Sequence, residues 1–233
     1  MTEELRPERP VLIAGPYLLL VEGQDEVEFF SALLRHMDIG GVQVVGLGGK
    51  DQFPRLFPGV HPQLDHVRAY AVIRDADTSA KDAFDSVKGV LQKHGEPCPT
   101  RSGCFISTRG VGRRVGIYIL PGKADRGMLE DLCLATVRDH AAMPCVDRFV
   151  DCLKESLPTR PAKSVAKPGK TYFPKNASKA RAMAFLAAMH DEVHRVGEAA
   201  QRSCWDFDHP CLSELKAFLQ VLVAVSLDEG CNG

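Results

Sequence analysis

The chain has 233 residues, 45% hydrophobic and 25% charged, with a formal net charge of −1 and a sequence pI near 6.7. That length suits one large domain or a core with an appended subdomain, and the near-neutral balance excludes a whole-molecule polyanion binder, so nucleic-acid contact would need a local patch. No apolar run reaches roughly 18 residues, no signal-like segment opens the chain and the cysteines lack Cys-x-x-Cys spacing, so a reduced cytoplasmic protein with mostly buried thiols and no membrane contact is expected.

Residues 1–16 are polar and read as a lead-in. A strand over 17–21 ends at Glu22-Gly23 and feeds a helix over about 24–37, in which Val27, Phe30, Leu33, Leu34 and Met37 recur at helical spacing. After the break at 38–41 comes a strand over 42–45 ending in Gly46-Leu47-Gly48-Gly49-Lys50, then a helical segment at 51–57 before Pro58. A strand over 68–74, an Asp75 loop and a helix over about 80–93 complete a β-α-β-α-β-α rhythm, which predicts an α/β fold with a mostly parallel sheet. Two more strands are predicted at 103–108 and 114–120, then a turn-rich loop at 121–127 and a helix from Met128 to about His140. From about 145 the pattern is helical, with a Pro/Lys-rich interruption at 158–175 and amphipathic helices near 177–196 and 211–226. The shift in composition near 141 divides an α/β core, 1–140, from a helical extension, 141–233, expected to pack on it.

Carboxylates mark two strand ends. Glu22 follows the first strand, with Gly23 giving the backbone room to turn, and Glu26 lies one helical turn further on, where it could share a metal. Asp75-Ala76-Asp77 follows the third strand, and Glu130 opens a later helix. In parallel sheets, groups past the carboxyl ends of strands converge in one crevice, and carboxylates there suit a hard cation such as Mg²⁺. Asp25, Glu28 and Asp131 read instead as charges near helix N-termini, favoured by the dipole. No acid lies between Glu155 and Asp191, while Lys163, Lys167, Lys170, Lys175 and Lys179 do, a segment able to track a phosphate backbone; Arg109, Arg113 and Arg114 offer a second patch. His190 and His194 have metal-helix spacing, but Asp191 stands where the zincin pattern needs Glu, and a solvated helix face is the better reading.

The ordered set of strand-Glu22-Gly23, strand-Asp75-x-Asp77 and Gly127-x-x-Glu130 resembles the Toprim fold, and most nearly the stand-alone Toprim-like proteins related to the OLD group. The resemblance implies a nuclease dependent on Mg²⁺ or Mn²⁺, hydrolysing phosphodiester bonds by two-metal chemistry, with DNA ahead of RNA as substrate. It makes Glu22 a metal ligand or general acid/base and Asp75 and Asp77 metal ligands. In the OLD-type pattern Glu26 and Glu130 complete the metal sites and a later lysine, here assigned to Lys179 over Lys175, stabilises the transition state. No P-loop is present, since Gly49-Lys50 is followed by Asp51, so a separately encoded ATPase partner is implied, and a homo-oligomer is compatible. Two alternatives stay open: a non-catalytic subunit that binds nucleic acid or protein, and an Asp-x-Asp phosphatase.

Overall fold

Short apolar runs bounded by Gly, Pro and Asp fold into five strands: β1 (Tyr17–Val21), β2 (Val42–Gly46), β3 (Ala69–Asp75), β4 (Cys104–Ser107) and β5 (Arg114–Leu120). The computed structural model describes residues 12–49, 52–107, 112–160 and 171–224. The strands form one sheet in the order β2-β1-β3-β5-β4, parallel except for β4, which pairs antiparallel with β5 at one edge. The helices are α1 (Gln24–His36), α2 (Phe53–Val60), α3 (Ala80–Lys93), α4 (Leu129–Thr136), α5 (Met143–Ser156), α6 (Ala177–Ala187), α7 (Val196–Gln201) and α8 (Ser213–Val223). This is the expected α/β class, a mostly parallel sheet flanked by helices.

Both sheet faces are buried, which is why the central strands read as continuous apolar runs rather than alternating ones. On one face Leu18, Leu20, Tyr70, Val72 and Ile117 pack against Phe53, Phe57 and Leu64 and against Val87 and Leu91 of α3. On the other, Leu19, Val21, Ala71, Ile73 and Tyr118 share a core with Phe29 and Phe30 of α1. Phe185, Trp205, Leu215 and Phe218, all beyond residue 141, belong to that same core. The C-terminal helices therefore form a layer of the sandwich.

Several boundaries differ from the sequence expectation. The helix expected at 51–57 occupies Phe53–Val60, passing through Pro58, and continues into a 3-10 segment, His61–His66. Buried Phe53, Phe57, Val60 and Leu64 anchor this stretch, so packing outweighs the proline penalty. The helix expected over 177–196 stops at Ala187, so His190 and His194 share no helical face, and α7 begins only at Val196. Nor are the thiols mostly buried: among the described residues Cys145, Cys152 and Cys211 are exposed, and Cys98 and Cys204 are half-buried. Among the described residues, no helix is long and apolar enough to cross a membrane.

Candidate metal centre

The chain leaves β1 for β2 on one side and comes back to β3 on the other, so the carboxyl ends of adjacent β1 and β3 flank a topological switch point. Open α/β sheets present their crevice at such a point. Glu22 and Asp75 sit there because each is the first acid reached where its buried apolar strand ends.

Main-chain contacts weld these strand ends together. Asp75 N–H donates to Glu22 Oε1 at 3.2 Å, and Gly49 N–H donates to the Glu22 carbonyl at 2.7 Å. Gly46 keeps the β2 end close: a Cβ there would lie 3.2 Å from the Gly23 carbonyl oxygen. Gly23 caps α1, its N–H donating to Glu26 Oε2 at 3.0 Å, which folds Glu26 back towards the strand end. Asp75 Oδ1 accepts the Leu129 N–H at 3.0 Å, from the first turn of α4, and Glu130 follows in that turn, buried. Asp77 takes a left-handed conformation, φ 52°, and exchanges two main-chain hydrogen bonds with Gly127. That bridge joins the Asp75-Ala76-Asp77 loop to the loop leading into α4.

Charge has accumulated here. Burial, then the Glu22, Glu26 and Glu130 carboxylates, push the Asp75 carboxyl up to about 9. Burial also raises Glu22, against the pull of Arg74, and it raises Glu26. Among the described residues, no three His, Cys, Asp or Glu side chains form a ready cation cage. Each acid instead leans on an internal donor: Glu22 on Asp75 N–H and Arg74, Glu26 on Gly23 N–H, Asp75 on Leu129 N–H, Glu130 on Lys179. A carboxyl raised first by burial and then by three neighbouring carboxylates fits a site that a divalent cation would neutralise.

A cleft of about 700 Å³ opens beside Asp75, lined by Arg74, Asp75, Asp77, Lys175, Asn176 and Lys179. Asn176 caps α6, accepting the Lys179 N–H at 2.9 Å, and Lys179 Nζ lies 3.4 Å from Glu130 Oε1. Burial opposes the charge on Lys179, yet Glu130, Asp75 and Glu26 together hold its pKa above the ordinary lysine value.

The structure brings Glu22, Glu26, Asp75, Asp77, Glu130, Lys175 and Lys179 to one end of the sheet. Lys163, Lys167, Lys170 and Arg109 lie outside the described residues. Arg113 and Arg114 are corrections to the expected second patch, because both are consumed internally at the opposite end of the sheet. Arg113 pairs with buried Glu96 and donates to the Leu64 carbonyl at 2.9 Å, and Arg114 donates to the carbonyls of Leu222 and Ala224. Asp131 accepts the Met128 N–H, as a helix-terminal charge should. Asp25 and Glu28 dock α7, accepting from Gly197 N–H and pairing with Arg195. Sequence reasoning missed Arg74, whose Nε stands 3.3 Å from Glu22 Oε1; the available signal was a lone cation at the end of an otherwise apolar strand.

The sequence model of the family described as "Protein of unknown function (DUF3226)" matches residues 16–224. No curated protein matches. Among solved structures, the C-terminal region of the Burkholderia pseudomallei OLD protein is similar over 90% of this chain and 100% of that one, at 14% identity and a TM-score of 0.41.

Proposed function

The chain belongs to this family of unknown function, DUF3226, and we propose that it is a divalent-metal-dependent nuclease of the Toprim type, acting on DNA ahead of RNA. The observation that carries this reading is the crowding of Glu22, Glu26 and Glu130 around buried Asp75, which itself lines a cleft together with Asp77, Lys175 and Lys179. Asp75, Glu26 and Glu130 would hold Mg²⁺ or Mn²⁺, with Glu22 and Asp77 facing the same crevice. Bound there, the cation would supply Lewis-acid activation of the phosphoryl group and of water. Glu22 would accept the proton of an attacking water, its raised pKa suiting it to that task. Lys179 would balance charge growing on the phosphoryl oxygens, and Lys175 would hold the flanking phosphate. An ATPase encoded separately would supply the substrate handling that so small a cleft lacks.

The test is plasmid DNA incubated with Mn²⁺ and purified protein. Nicking is expected, and Glu22→Ala and Asp75→Ala should each abolish it. Absence of cleavage with every divalent metal, alongside DNA binding that needs none, would replace the nuclease with a non-catalytic binding subunit.

A further inference from the structure

Building on that metal-centre reading, we propose that Arg74 is a built-in cation standing in for a second metal ion at Glu22, so that the centre takes one divalent cation per chain. Two-metal hydrolases hold their ions about 3.5–4 Å apart between shared carboxylates. Here one oxygen of the strand-end glutamate is already committed: Glu22 Oε1 accepts the Asp75 N–H at 3.2 Å and lies 3.3 Å from Arg74 Nε. That Nε is buried and makes no hydrogen bond, so the Glu22 carboxylate is its compensation. A guanidinium stays charged at every working pH, so the positive charge at this spot is permanent.

Arg74 is also fixed in place. Its side chain is 13% exposed, and Nη1 donates to Ser86 Oγ of α3 at 3.0 Å. Lys179, beside Glu130, contrasts with it: that side chain is 61% exposed and free to swing out when a cation arrives. One of the two internal cations can therefore yield its place and the other cannot. A dication at Glu22 would sit against the guanidinium and be repelled, which leaves Asp75, Glu26 and Glu130 to hold a single ion.

Counting bound Mn²⁺ on the full chain, by electron paramagnetic resonance of the unbound ion, tests this without reference to activity. One ion per chain is expected for the wild type and for Arg74→Lys, and two for Arg74→Met. Two ions on the wild type would overturn the role of Arg74 while leaving the metal centre standing, and would do so even if Arg74→Met failed to fold. A single ion on folded Arg74→Met, with unchanged affinity, would overturn it as well. No Mn²⁺ on the wild type would remove the metal centre and this inference together.

Discussion

Asp75 ends β3 with a carboxyl that is buried and ringed by three others, and its titration sets a pH dependence for the whole fold. Its ordinary pKa is 3.8 and its folded value about 9. Between those values the folded state keeps a proton that the unfolded chain has released. The group's stabilising contribution is therefore complete below pH 3.8 and is lost as pH rises through about 9. In chelator, the urea midpoint should fall from mildly acidic to mildly alkaline pH, with Glu22 and Glu26 contributing in the same direction. Asp75→Asn should flatten that slope, and a variant that kept the wild-type slope would contradict the assignment. At this scale strand-end position was legible for Glu22 and Asp75, because each is the first acid to close a long apolar run. Arg74 stayed hidden because a single cation inside a strand gives no periodic signal, and its meaning depends on Glu22, 52 positions away in the chain but next to it in the sheet.

Among the elements, α7 is six residues long, and one of them, Gly197, sets how closely it approaches α1. A Cβ at Gly197 would lie 2.6 Å from the carbonyl oxygen and 2.8 Å from the Cα of Asp25, both main-chain atoms that cannot turn aside. Gly197→Ala should cost about 1–3 kcal/mol by overpacking, read as a lower denaturant midpoint. Because Asp25 opens the helix that carries Glu26, Mn²⁺ affinity should weaken too. Unchanged stability would show that the two helices can separate freely. The strands were legible because each holds an apolar run, closed in β2, β3 and β5 by Gly, Asp or Pro and in β1 by Glu22-Gly23. The short helix was not, since six residues containing a glycine carry too little periodicity to stand out, and α7 exists only because α1 offers it a surface.

Across the whole molecule, the two ends of the sheet do different work. At the end away from the crevice, Glu96 is buried and accepts from Tyr70 at 3.0 Å, from Arg113 and from His61, joining β3, β5 and the 3-10 segment. Glu96→Ala would strand the Arg113 charge and should lower stability by about 3–5 kcal/mol. Mn²⁺ binding by the folded fraction should stay as in the wild type; a loss of metal affinity would mean that the two ends are coupled. The three-layer arrangement was only partly legible, because composition alone cannot say whether helices beyond residue 141 cover the sheet or stand beside it. Since Phe185, Trp205, Leu215 and Phe218 complete the core over Leu19, Val21, Ala71 and Ile73, the order of synthesis matters. The ribosome delivers the sheet first and the cover for one of its faces last. A nascent chain halted near residue 141 would carry the acidic crevice without Lys179 and an apolar face covered only in part, by α1, which makes it a client for chaperones and proteases rather than a smaller stable domain.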